Sequence, residues 1–243
     1  MDGLLMKKFM IHSLTVTAIA LTCTVVGSAR AADISIPPDP GARDARTLVS
    51  FACSKCHGPS SNGISISPIF PILAGQNQVY LDTELKLLRQ HGRSDPHARA
   101  FMWGISHALT DQQIAGLAEY FANLPGVSGQ PSSKPELLAK GKDIYENGVP
   151  EPNKVVKCSQ CHGEVGAGTN NVPRLQGQHK GYMALQLHYY HDKLRENILM
   201  QRNVKNITDD QIAAVVEYIS TLTGVDPPDS PTPAPTDSPP AAP

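Results

Sequence analysis

The sequence has almost no net charge: 21 Lys and Arg stand against 22 Asp and Glu over 243 residues, a formal balance of −1. That excludes a strongly basic nucleic-acid binder, and the absence of Lys/Arg runs leaves no track for a phosphate backbone. No interior stretch approaches the roughly 18 consecutive apolar residues of a membrane span, so a polytopic membrane protein is excluded as well. Aromatic residues are few, at 5%, and cysteine occupies only five positions. Proline and glycine, at 21 and 19, are raised, but not to the level of a wholly disordered chain. The length accommodates one large or two small domains.

The one hydrophobic segment opens the chain. Lys7 and Lys8 precede an apolar stretch from Phe9 to Gly27, and Ala29-Arg30-Ala31 places small residues at the two positions a signal peptidase reads. Residues 1–31 are therefore expected to be a signal peptide, cleaved after Ala31, which sends the protein to the periplasm. The alternative is an uncleaved anchor that keeps it on the outer face of the inner membrane. Cys23 leaves with the signal.

The four remaining cysteines fall as Cys53-Ser54-Lys55-Cys56-His57-Gly58 and Cys158-Ser159-Gln160-Cys161-His162-Gly163. C-x-x-C-H is the attachment pattern of c-type haem. Its two thiols sit about one helical turn apart and can add to the two vinyl groups of one haem edge. The histidine that follows then offers its imidazole to the iron. Other readings of paired cysteines are weaker. A thioredoxin-like pair needs a βαβ context that neither motif has. A four-cysteine zinc site joins pairs about 15–20 residues apart rather than roughly 100. A structural disulfide within C-x-x-C is strained, and usually redox-active. Two covalent haem c groups are the expected cofactors, held by Cys53, Cys56, Cys158 and Cys161, with His57 and His162 as iron ligands.

The two halves repeat well beyond these motifs. Pro71-Ile72-Leu73-Ala74-Gly75-Gln76 matches Pro173-Arg174-Leu175-Gln176-Gly177-Gln178, and Tyr80 matches Tyr182. Helical periods are predicted over Tyr80–Gln90 and Tyr182–Lys193. Thr110 with Gln113, and Thr208 with Gln211, read as capping boxes. Behind them Ile114, Leu117, Phe121 and Leu124, matched by Ile212, Val215, Ile219 and Leu222, lay an apolar stripe along one helix face. Residues 40–126 and 135–225 are thus predicted as two small helical domains. Residues 127–134 form a linker by composition, and the Pro-rich residues 226–243 a disordered tail.

Three methionines follow the signal. Met102 and Met200 each stand eight residues before a capping threonine, which makes them the candidate sixth ligands. Met183 has no counterpart and reads as core filler. Histidine/methionine ligation closes the iron and raises its potential. His91, His97, His107, His188 and His191 have no partner in the other half and read as surface or packing residues.

Two C-x-x-C-H halves, each with P-x-L-x-G-Q, a later methionine and a Thr-Asp-x-Gln-Ile helix start, resemble the dihaem cytochrome c4 family over about residues 41–224. The resemblance implies an all-α fold of two tandem class I cytochrome c domains related by pseudo-twofold symmetry, with the haems close together at their junction. It implies an electron carrier, not an enzyme, that serves a quinol–cytochrome c oxidoreductase and a terminal oxidase. It further implies that the carbonyl of Pro71 or Pro173 accepts the Nδ1–H of His57 or His162. Phe101 and Trp103 beside Met102, and the insertion Asn147–Lys157 before the second haem motif, depart from the family pattern. A cytochrome subunit of a periplasmic dehydrogenase would carry the same haem sites. A dihaem enzyme would need one open or differently ligated iron, and neither nucleic acid nor a small-molecule substrate is expected as a partner.

Overall fold

The computed structural model describes residues 44–224. The expected signal peptide with its cleavage site at Ala31, residues 40–43 of the expected first domain, residue 225 and the Pro-rich tail lie outside the described residues.

In the first half, Asp44 caps α1 (Ala45–Leu48), its carboxylate accepting the Thr47 N–H at 2.9 Å. The helix then widens into a π-helical stretch, Val49–Cys53, and resumes as α2 (Ser54–His57). Such local widening is common at functional positions, and here it leads straight into Cys53, Cys56 and His57. α3 (Gln78–Arg89), a second π-helical stretch (Ala98–Met102) continuing as α4 (Trp103–Ser106), and α5 (Asp111–Ala122) complete the half. The second half contains α6 (Pro135–Asn147), α7 (Ser159–His162), α8 (Lys180–His191), α9 (Ile198–Val204) and α10 (Asp209–Ile219). Among the described residues there is no strand, only isolated antiparallel bridges of Val149 with Val155 and Thr169 with Val172. The first of these ties off the insertion predicted from the sequence. No described helix is long and apolar enough to cross a membrane.

Both capping boxes form. Thr110 and Thr208 accept from the backbone of Gln113 and Gln211, whose side chains return the bond to the cap N–H at 3.0 Å. The helices predicted to begin at Tyr80 and Tyr182 begin two residues earlier. Gln76 and Gln178 accept the N–H of Asn77 and His179 through their side-chain oxygens, at 2.9 and 3.0 Å, so the chain turns into helix directly after them.

Each half has its own hydrophobic core. Leu48, Val49, Ile114, Leu117 and Phe121 centre the first; Tyr145, Ile212, Val215, Ile219 and Met183 belong to the second, so Met183 is a packing residue. Full burial of one such side chain is worth about 1.5–3 kcal/mol. The opening and closing helices of each half cross at small residues. A Cβ on Gly141 of α6 would lie 2.0 Å from the Ala214 carbonyl of α10, and one on Gly116 of α5 would lie 3.4 Å from the Ala45 Cβ of α1.

The halves meet over a buried polar cluster. Arg93 and Arg195 occupy matching places in the repeat, as do Glu84 and Gln186. Glu84 Oε2 accepts from Arg93 at 2.8 Å and from Arg195 at 2.9 Å, while Gln186 Oε1 accepts from Arg93 at 3.0 Å and from Arg195 at 2.6 Å. The fully buried Asp95 adds a second carboxylate, 2.8 Å from Arg93 Nε. Two guanidiniums and two carboxylates balance, as buried charge requires. His97 Nδ1 and the Tyr189 hydroxyl share a hydrogen bond across the same junction, while His91 stacks on Trp103. Residues 127–134 are more than a spacer: Gly129 and Gln130 donate to Leu222 and Ser220 carbonyls at 2.9 and 3.0 Å, and Ser132 bonds Glu217 at 2.6 Å.

Candidate functional site

The two C-x-x-C-H motifs are built alike. Cys53, Cys56 and Cys158 are half-buried and Cys161 is exposed; all four are free thiols. Burial pushes the Cys53 thiol up to about 12 and the Cys158 thiol up to about 11. His57 and His162, each 7% exposed, end α2 and α7. The Nδ1–H of His57 donates to the Pro71 carbonyl at 2.9 Å, and that of His162 to the Pro173 carbonyl at 3.0 Å. Burial lowers both imidazole pKa values below the ordinary one, against the opposing pull of those carbonyls. The rings are therefore neutral near pH 7, the form that binds metal, and Nε2 is the nitrogen left to do so.

The methionines sit at comparable but not identical stations. Asp95 accepts the Ala98 N–H at 3.1 Å and so caps the helical turn, Pro96 and His97, that runs into the π-helical stretch ending at Met102. Asn197, its counterpart, accepts the Met200 N–H at 3.0 Å and caps α9. Met200 is thus the third residue after its cap and Met102 the seventh, about one helical turn further on. The extra turn in the first half holds the bulky neighbours noted in the sequence. Phe101 packs edge-on against Phe70, which stands edge-on to His57, and Trp103 donates to the Arg93 carbonyl at 2.8 Å. Cys158 and Met200 both pack on the second core. Cys53 packs on the first, and the Met102 carbonyl anchors Ser106 at 2.8 Å.

Sequence reasoning found the P-x-L-x-G-Q blocks but not what their glutamines do. Gln76 Oε1 accepts the Arg174 N–H at 2.7 Å and its Nε2 donates to the Arg174 carbonyl at 2.9 Å. Gln178 returns the arrangement on Ile72, with both bonds at 2.9 Å. The next residues also reach across: Asn77 Nδ2 donates to the Val172 carbonyl at 2.6 Å and His179 Nε2 to the Ser65 carbonyl at 2.8 Å. The glycines of the motif, at φ +67° and +69°, sit against the chain that follows the first half. A Cβ on Gly75 would lie 2.5 Å from the Gly126 Cα, and one on Gly177 2.1 Å from the Val127 carbonyl. Among the described residues no group of three or more His, Cys, Asp or Glu side chains is placed to hold a metal ion unaided. His188 lies 3.8 Å from Asp209, and His191 pairs with its neighbour Asp192.

The model of the cytochrome c family matches residues 42–125 and again residues 138–223. Cytochrome c4 of Thiocapsa roseopersicina is 35% identical over 190 residues, 76% of this chain and 93% of that protein. The chain belongs to the dihaem cytochrome c4 family. The solved cytochrome c4 of Acidithiobacillus ferrooxidans superposes with a TM-score of 0.65 at 37% identity, covering 70% of this chain and 98% of that one. A shorter stretch resembles the thiosulfate dehydrogenase electron acceptor of Stutzerimonas stutzeri, 42% identical over 73 residues, 30% of this chain and 32% of that protein.

This cytochrome is therefore an electron carrier with two covalent haem c groups, one at Cys53/Cys56 and one at Cys158/Cys161. The residues present fit that cofactor. Each half brings two unpaired thiols one turn apart, followed by a neutral, buried imidazole whose Nδ1 is already engaged. Two corresponding tyrosines, Tyr120 and Tyr218, do different work around the sites. Tyr120 donates to the Ser61 carbonyl at 2.9 Å, whereas Tyr218 turns to Glu146 and Tyr145 instead bonds the Gly163 carbonyl at 2.6 Å.

Proposed function

We propose that His57 with Met102, and His162 with Met200, are the axial ligand pairs of the two haem irons, in a carrier exported to the periplasm by cleavage after Ala31. In this reading residues 40–126 and 135–225 are the two haem domains. They shuttle electrons from a quinol–cytochrome c oxidoreductase to a terminal oxidase. The observation that carries the ligand assignment is the matched pair of hydrogen bonds from His57 to the Pro71 carbonyl and from His162 to the Pro173 carbonyl. A second bond of that kind orients a ligating imidazole and raises its basicity.

Each haem supplies a one-electron ferric/ferrous couple. The protein's part would be to hold both imidazoles still, offer the Met102 and Met200 thioethers and exclude water. Irons held by both a histidine and a methionine would leave no coordination site for a substrate. Redox encounters of this type bury little surface, under about 1,200 Å², which suits a carrier that must leave its partner quickly.

The test is kinetic. Reduction by a quinol–cytochrome c oxidoreductase and oxidation by a terminal oxidase, each followed optically, should proceed with two electrons per chain, and the mature protein should fractionate with the periplasm. A chain that exchanges electrons with neither complex contradicts the shuttle. The partial likeness to a thiosulfate dehydrogenase electron acceptor favours a second reading, a cytochrome partner of a periplasmic dehydrogenase. Stable co-purification with such an enzyme would establish it.

A further inference from the structure

The peptide unit between Pro71 and Ile72 is bonded at both ends. Its carbonyl oxygen accepts from His57 Nδ1 at 2.9 Å, and its N–H donates to Gln178 Oε1, in the other half, at 2.9 Å. The peptide unit between Pro173 and Arg174 repeats this with His162 at 3.0 Å and Gln76 at 2.7 Å. Both glutamines are buried, at 6% and 7% exposure. Each is held against rotation by its second bond, from Nε2 to the next carbonyl, at 2.9 Å in both cases.

A peptide is one conjugated group. When its N–H donates, electron density moves to its oxygen and the bond accepted there strengthens. A stronger acceptor draws harder on the imidazole Nδ1–H, makes the ring a better donor, and favours the ferric iron it ligates. We infer that Gln178 is a positioning residue for the haem of the first half and Gln76 for the haem of the second, so that each half sets the potential of the other's haem through a single shared peptide. The inference rests on the reading that His57 and His162 are iron ligands. A glutamine serving only to hold the halves together could bond any backbone group at the junction. Each of these two instead places its oxygen on the one peptide in its partner half that also holds the haem-motif histidine, with its second bond on the peptide that follows.

The experiment uses the haem-loaded protein and the isosteric variants Gln178→Met and Gln76→Met, with both potentials measured by spectroelectrochemistry and assigned to each haem by NMR of the haem methyl groups. Loss of a bond that strengthens its neighbour by roughly 10–30% predicts a crossed result. Gln178→Met raises the potential of the His57 haem, changing its reduction equilibrium about twofold to fourfold, or roughly 20–35 mV at 59 mV per tenfold for one electron. It leaves the His162 haem in place; Gln76→Met does the reverse. A shift of the haem in the variant's own half, equal shifts of both, or no shift overturns the inference.

The optical spectrum of the unmutated protein reports separately on whether histidine and methionine are the ligands, so a failure of that reading is distinguishable. Should either variant fail to fold, through-hydrogen-bond couplings in the ferrous wild-type protein serve instead. Coupling from the Ile72 amide nitrogen to the Gln178 side-chain carbonyl carbon, and from Arg174 to Gln76, supports the relay, and their absence overturns it.

Discussion

Replacing Glu84 by glutamine removes one charge from the buried cluster between the halves while keeping its shape. Glu84 Oε2 takes a guanidinium from each half, Arg93 at 2.8 Å and Arg195 at 2.9 Å, with its side chain 15% exposed. The bonds to the substituted amide would still come from charged guanidiniums, so what is lost is the buried countercharge itself: two guanidiniums would share Asp95 alone, 2.8 Å from Arg93 Nε. Leaving a buried charge unbalanced costs about 3 kcal/mol or more, within the range for breaking a buried pair.

Burial alone would raise the Glu84 pKa, but Arg195 and Arg93 more than offset it and hold the carboxyl below its ordinary value; Asp95 is lowered in the same way, chiefly by Arg93 acting against burial. A depressed folded-state pKa places this stabilisation above about pH 5 and removes it as pH falls through the folded value. The Glu84→Gln deficit is therefore full at pH 7 and closes in acid. Urea unfolding followed by Trp103, the single tryptophan, should show a midpoint about 1 M lower at pH 7, given slopes of about 2–3 kcal/mol/M. Adding Gln186→Glu restores a carboxylate between the same two arginines and should recover most of the loss. A neutral Glu84→Gln at pH 7, or a double variant no more stable than the single, refutes the reasoning.

Other perturbations separate the structure's parts. Gly141→Val drives a side chain into the Ala214 carbonyl, 2.0 Å from the first added atom, and should cost about 3 kcal/mol in thermal unfolding. Gly116→Ala meets only an ordinary contact and should be tolerated, with up to about 1 kcal/mol gained from helix propensity. Thr110→Ala and Thr208→Ala each remove the donor's partner in a capping box and should cost about 1 kcal/mol. Replacing Cys158 and Cys161 together by alanine should halve the covalent haem measured as pyridine haemochrome, with the first-half haem retained.

What could be read in the sequence was local. The capping boxes, the stripe Ile114–Leu117–Phe121 and the haem motifs depend on residues within one or two turns of each other, so spacing alone carries them. The bonds that join the halves connect residues about a hundred positions apart, such as Gln178 with Ile72, and no local period encodes them. A faint signal existed: Arg93 and Arg195 stand in the same relation as Gln76 and Gln178, so extending the repeat would have singled out both arginines. Counting Met102 and Met200 from the capping threonines hid the extra helical turn, which shows only when they are counted from Asp95 and Asn197. The bonds of the connecting residues escape local reading for the same reason, since Gly129 and Gln130 find their partners on Leu222 and Ser220.

The most direct test of the account is an optical spectrum of the haem-loaded protein, oxidised and then reduced under carbon monoxide, alongside Met102→Ala and Met200→Ala. Two closed histidine/methionine sites predict a weak far-red iron–thioether band in the ferric protein, no Soret change with carbon monoxide, and a band halved by either substitution. An iron in the unsubstituted protein that takes up carbon monoxide, or a band that survives either loss, would contradict the ligand pairs and reopen the case for an enzyme.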